Sequence, residues 1–215
     1  MTLSTASRSE PAPLSAYGRA KLRSEEIATE FARAEGSAFV KGTGVNQPEG
    51  FLNTVKATAD DNSRAFGAVQ YIGTGSATGL GTALDIKLID LVHAMKAGHR
   101  QGAMFVMNST TLAAVRKLKT TDGAFVWQPG LTEGQPNRLL GYPVIEAEDM
   151  PDVAGGAFPI AFGNFRDGYL IAERSATRVL RDPFTNKPFV HFYATKRIGG
   201  KVLDSNAIKL LKIEA

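Results

Sequence analysis

The chain contains no cysteine. That absence excludes disulfides, thiolate nucleophiles and cysteine–zinc sites together. Histidine is scarce, with three residues in 215, and tryptophan occurs once. No apolar run approaches the ~18 residues that a membrane-spanning helix needs, so no membrane partner is expected. The opening residues, Met1 to Pro13, are small and polar. They lack the basic start and apolar centre of a secretory signal, which fits synthesis in the cytosol. Charge of neither sign dominates: 25 Lys and Arg stand against 21 Asp and Glu, a net +4. That balance permits contact with nucleic acid, but no long basic run demands it.

What is present is a globular composition, 43% hydrophobic and 21% charged. The length suits one domain or two small interleaved ones. Residues 1–14 read as a disordered or extended tail, because Ser, Thr and Pro there cannot build a core. Ser24, followed by Glu25 and Glu26, has the composition of a helix start. Ile27, Phe31, Ala34 and Ala38 then share one helical face. Tyr17, Ala20 and the basic Arg19, Lys21 and Arg23 extend the pattern backwards. Gly42 and Gly44 stop it at a tight turn. Residues 58–81, polar and then glycine-rich, are expected to form an exposed loop or hairpin.

A second helix is expected over 82–97. Thr82 and Asp85 have capping-box spacing, and Ile86, Ile89, Val92 and Met95 mark the expected core face. Ala103–Met107 has strand length. Asn108 or Ser109 should cap a short helix over Leu112, Val115 and Leu118. From there the signals are β. Phe125–Trp127, Leu139–Ile145, Phe158–Phe162, Tyr169–Ala172, Thr177–Leu180, Phe189–Ala194, Lys201–Leu203 and Ile208–Ile213 are short strand-like runs between turn residues. Helices early and strands late predict an α+β fold.

No constellation makes a defensible catalytic, cofactor or metal site. His93 and His99 are six apart, on different helical faces, and are no metal pair. His191 stands alone in sequence. Glu146, Glu148 and Asp149 cluster, and the first two could share a strand face as acid and base. A solvated strand end before Pro151 is the simpler reading. The glycine stretch Gly73 to Gly81 precedes a helix and invites a phosphate-loop reading. It ends Gly-Leu-Gly-Thr where a nucleotide loop wants Gly-Lys-Ser/Thr. Gly75-Ser76-Ala-Thr-Gly79 does not have the spacing of a nucleophile elbow. A mobile loop that binds no phosphate is expected, and a nucleotide-binding enzyme using it is the least favoured reading.

Four stretches, in order, resemble the major capsid proteins of tailed bacteriophages with the Hong Kong 97-type fold. The first is a long helix running into Glu35–Gly44 and then Asn46-Gln47-Pro48-Glu49-Gly50-Phe51-Leu52. The second is the helix 82–97, the strand Phe105-Val-Met-Asn108 and a helix ending Leu118-Lys119, then Asp122-Gly123. The third is Leu140-Gly141-Tyr142-Pro143-Val144. The fourth is Phe162-Gly163-Asn164-Phe165 with Gly168-Tyr169, then Arg197, Asp204 and Ala207.

The resemblance implies a flat α+β subunit with a long spine helix and antiparallel sheets. A peripheral region would take residues 15–57 and 176–203, and an axial region 58–175 and 204–215. Copies would associate as pentamers and hexamers into an icosahedral shell around DNA, assembled in a bacterial host's cytoplasm with other head proteins. Contact with the packaged DNA would be electrostatic and non-specific. The expected product is a virion component and not an enzyme. About two dozen residues precede Glu25, so the family's N-terminal arm and extended hairpin loop are expected to be missing. A shortened prophage remnant, or an accessory module that does not assemble, is the alternative. Some members cross-link a Lys to an Asn beside a Glu. Pro188 and Thr195 stand where the Asn and Glu would fall, so cross-linking is not implied.

Overall fold

The computed structural model describes residues 16–81, 83–117, 138–182, 184 and 191–215. The expected tail, Thr82, Leu118, Asp122-Gly123, Phe125–Trp127 and Pro188 lie outside these residues. The helices are α1 (Ala16–Lys41), α2 (Leu84–His93), α3 (Ala97–Arg100), α4 (Ser109–Arg116) and α5 (Phe165–Gly168). The strands are β1 (Lys56–Ala57), β2 (Val69–Gly73), β3 (Met104–Met107), β4 (Arg138–Leu139), β5 (Tyr142–Glu146), β6 (Ile160–Gly163), β7 (Tyr169–Asp182), β8 (His191–Val202) and β9 (Ile208–Lys212). A 3-10 turn, Ser205–Ala207, leads into β9. The fold is α+β, as the element order predicts.

Two compact units make up the chain, one ending at Glu35 and one running from Gly36 to Ala215. The first is seen as α1 from Ala16 to Glu35. Ser24 therefore lies inside the helix and does not begin it. Ile27 and Phe31 are half-buried, and Ala34 is exposed.

The second unit is built on a seven-stranded sheet in the order β1-β2-β9-β6-β3-β5-β4. β1–β2, β2–β9 and β3–β5 pair in parallel, while β9–β6, β6–β3 and β5–β4 are antiparallel. The large sheet is thus mixed where antiparallel pairing was expected. β9 (Ile-Lys-Leu-Leu-Lys) lies near its centre. Strands covered on both faces carry apolar residues at successive positions, as Leu210 and Leu211 do here. Leu211 joins the core on one face, with Phe105, Met107, Ile160 and Phe162. Ile208 and Leu210 join Val69, Val106 and Ala161 on the other. Each fully buried Leu, Ile or Phe here contributes on the order of 1.5–3 kcal/mol.

The segment 58–81, expected to be an exposed loop or hairpin, contains the core strand β2. Val69 is fully buried, and β2 pairs along its length with β9. The five-residue run Val-Gln-Tyr-Ile-Gly is too short for its alternation to stand out among glycines.

α2 packs partly as expected, with Val92 buried. Leu84, Leu88 and Leu91 are buried, whereas Ile86 and Ile89 remain 55% and 45% exposed. The helix carries two apolar stripes at helical spacing, and the sheet selects the leucine stripe. It ends at His93, short of the expected 97, and no side chain caps its start at Ala83. Met95 is buried as expected, in the turn beyond. Asn108 caps α4 as predicted, its side chain accepting from Thr111 N at 2.8 Å. Asp152 then accepts from Asn108 Nδ2 at 2.8 Å and from Thr110 Oγ1 at 2.6 Å. These two donors favour the ionised carboxylate and lower its pKa.

Leu139–Ile145, read as one run, is a hairpin. Leu140 and Gly141 have φ of 51° and 84°, the signature of a tight two-residue turn between β4 and β5.

Candidate assembly surface

After Lys41 the chain reverses sharply. Gly42 N donates to Ala38 O at 2.8 Å, Gly44 N to Pro48 O at 3.3 Å and Gly50 N to Gly42 O at 2.9 Å. Thr43 and Glu49 form a β-bridge. A Cβ on Gly42 would lie 2.1 Å from Pro48 O, and Gly44 has φ +78°. Both positions require glycine, as the abrupt end of helical periodicity predicts.

This turn anchors the longest strands. β7 and β8 pair antiparallel from Tyr169↔Val202 to Asp182↔His191 and form a separate two-stranded ribbon. The two runs read on β7, Tyr169–Ala172 and Thr177–Leu180, are one strand. Phe189–Ala194 and Lys201–Leu203 likewise belong to β8 where described. Gly199-Gly200 and Ser175-Ala176 interrupt the apolar pattern without interrupting the strands. Register shifts fall between Glu173 and Ser175 and between Ser175 and Arg178. Bulges of this kind bend and twist a ribbon.

The base of the ribbon is fixed by Tyr169. Its hydroxyl donates to Glu49 O at 2.8 Å, and its ring packs edge-on to Phe39, with centroids 5.8 Å apart. Burial, with Glu49 adding to it, pushes its pKa up to about 12. A side chain on Gly200 would strike that ring, with Tyr169 Oη 2.5 Å from the added Cβ.

Further out the ribbon is exposed on both faces. Leu180 pairs with Tyr193 on one face, and Val179 lies on the other with Phe192. Val179 and Leu180 are 56% and 65% exposed, and Phe192 and Tyr193 are 43% and 47%. Leu170 and Ile171 are each 51% exposed near the base. Two-stranded ribbons are marginal in water without an apolar face to pack against. Concentrated apolar exposure on such an element is the mark of an interaction surface.

The sequence-derived catalytic and metal candidates do not converge. His93 is exposed. His99 Nε2 lies 3.7 Å from Asp204 Oδ2. Among the described residues no group of three His, Asp or Glu could hold a metal ion. Glu146 and Glu148 are exposed, Glu146 ending β5. The Gly73–Gly81 segment is tied down: Thr74 N donates to Lys212 O and Ser76 N to Glu214 O, both at 2.9 Å. Thr195 sits in β8 opposite Arg178.

One cluster escaped the sequence reading. Lys209, in the middle of β9, is fully buried. It bonds Asp61 and donates to Gln70 Oε1 at 2.9 Å. Asp61 also pairs with Arg64, which donates to Ala68 O at 2.8 Å and to Ser205 O at 2.9 Å. Burial lowers the Lys209 pKa, and Asp61 partly restores it. A lysine flanked by Ile208 and Leu210 was the available signal. The cluster fastens residues 61–68 to β9 and the turn before it.

The fold, with the turn after α1 and the ribbon, is of the capsid type. The chain belongs to the phage capsid family, whose sequence model matches residues 22–213. It is similar to the capsid of a native GTA particle and to that of an empty one, each resolved with C5 symmetry. Identity is 50% to both, with TM-scores of 0.83 and 0.82. The match covers 91% of this chain and 66% of each of theirs, just under two thirds of their length. The holo-SrpI encapsulin complex from Synechococcus elongatus shares the fold at 18% identity, with a TM-score of 0.56 over 90% of this chain and 64% of that one. No curated protein matches the chain.

Proposed function

We propose that this chain is the shell-forming region of a phage-type major capsid subunit, and that copies of it associate into the rings of a closed container for DNA. The observation that carries this reading is the β7–β8 ribbon, whose apolar residues are exposed on both faces. The 50% identity to capsid chains resolved with C5 symmetry supports rings of identical copies. Pentamers and hexamers, other head proteins and assembly in a bacterial cytoplasm belong to the same proposal. The peripheral region would be 15–57 with 176–203, and the axial region 58–175 with 204–215. The irregular register of β7 near Ser175 supports a boundary there. The chain would act by burying surface against its own copies, without a catalytic centre or cofactor. No described helix is long and apolar enough to cross a membrane.

Analytical ultracentrifugation across protein and salt concentration tests this, alongside a form extended to the length of the GTA capsid chains. Rings or shells from the extended form are expected, and a weaker or loose oligomer from the present chain. An extended form that stays monomeric under all conditions would overturn the proposal. A shortened remnant or accessory module is the reading that would then remain. Thermal stabilisation by a nucleotide would instead point to the Gly73–Gly81 segment.

A further inference from the structure

We propose that Lys56, Tyr71, Phe158 and Lys212 form a contact site for the phosphate backbone of a polynucleotide at the β1–β2 end of the seven-stranded sheet. The proposal rests on the capsid reading only for the identity of the polyanion.

The geometry comes from the register. Lys56 pairs with Val69, and Gly73 pairs with Lys212. Strand side chains alternate, so Lys56, Val69, Tyr71, Gly73 and Lys212 lie on one sheet face. Phe158 closes onto this face, its ring edge-on to Tyr71 with centroids 5.8 Å apart. Lys56 Nζ lies 4.8 Å from the Phe158 centroid, and Lys212 Nζ lies 4.9 Å from that of Tyr71. All four residues are half-buried.

Two features distinguish this pair from ordinary surface lysines. First, the rings hold both ammonium groups in place, which reduces the freedom lost on binding. Second, the charge is incompletely balanced. Lys212 bonds Glu214 Oε2 at 2.6 Å. No carboxylate among the described residues pairs with Lys56. Burial, and after it the neighbouring Lys212, lower its pKa. Lysines supply point charges without the planar fork that reads bases, and such contacts are sequence-independent. The half-exposed setting fits a strand laid across it, not an enclosed small anion.

Fluorescence anisotropy with a short labelled DNA duplex tests the site. The K56A/K212A variant should bind about tenfold more weakly at low salt, and the slope of log affinity against log salt should fall by about 2. E214Q should bind more tightly than the parent chain, because it frees Lys212. The control K87A/K96A removes equal charge from α2 and the turn after it, and should bind as the parent does. Should K56A/K212A melt early, the single variants K56Q and K212Q carry the same comparison. Equal weakening in the control would overturn the proposal, as would no binding by the parent chain at low salt. Displacement by inorganic phosphate at matched phosphate concentration would also overturn it, in favour of a free-anion site. Assembly is scored separately by sedimentation without DNA. Site-specific binding by the present chain, with an extended form that stays monomeric, would remove the capsid reading and leave the site standing. Assembly without binding would do the reverse.

Discussion

The hydroxyl of Tyr169 donates to the backbone carbonyl of Glu49 across 2.8 Å, joining the first residue of β7 to the turn that follows α1. One bond thereby links elements 120 residues apart. Its removal in Tyr169→Phe should cost about 1 kcal/mol at neutral pH. The folded-state pKa is raised from 10.0 to about 12, so the stability it brings is complete below pH 10 and is lost as pH rises toward 12. The parent chain should lose stability across that window, and the phenylalanine variant should lose less of it. Denaturant titrations at stepped pH provide the comparison.

The reversal after α1 makes a second prediction. Gly44→Val places a β-branched side chain at φ +78° and should destabilise by about 1 kcal/mol or more. Gly42→Ala should cost more, since its Cβ would meet Pro48 O at 2.1 Å and that oxygen belongs to the backbone. Unchanged melting temperatures for both would count against the turn.

The buried ionic cluster behaves asymmetrically. Asp61→Ala leaves the fully buried Lys209 beside Arg64 without a carboxylate, and should cost about 3–5 kcal/mol. Lys209→Met removes the charge, keeps the stem and retains the Asp61–Arg64 pair. It should be close to neutral. Because burial lowers the Lys209 pKa, the unfolded chain binds more protons between that value and 10.5. The parent chain should therefore gain stability from this group as pH rises through that range, and the Met variant should not.

On the ribbon, Val179→Glu with Leu180→Glu places a charge on each exposed face. Both side chains are more than half exposed, so monomer stability should change by no more than about 0.5 kcal/mol. Sedimentation of the assembling form should collapse to smaller species. Assembly that persists with normal size would remove the ribbon from the interface.

Leu140 occupies φ 51° with its side chain 45% exposed. A left-handed position suits Asn better than Leu, so Leu140→Asn should raise stability by about 1 kcal/mol. Thermal melting decides it.

The sequence made the helices and their stops legible where local chemistry sets them. Gly42, Gly44 and Asn108 act through their own backbone or their nearest turn, and each was read correctly. α2 was partly misread because both of its stripes satisfy helical spacing, and only the sheet beneath chooses Leu84, Leu88 and Leu91 over Ile86 and Ile89. The ribbon was cut into pieces because Gly199 and Gly200 look like breakers. In the fold the missing side chain of Gly200 matters at Tyr169, a contact made across the ribbon. The Lys209 cluster joins residues 148 positions apart, beyond any local pattern.

A strand near the centre of the large sheet is also a late one. β9 lies between β2 and β6, and its partner Gln70 precedes Lys209 by 139 residues. During synthesis, β2 emerges long before the strand that must lie beside it. Pairings of such long range are slow to form, because the intervening chain must be ordered first. Until β9 inserts, β2 and β6 lack the neighbour that joins them, and the clusters on either side of the sheet stay open. The core therefore closes after translation of this region, not during it. That delay is set by topology alone, and it separates folding from association in time.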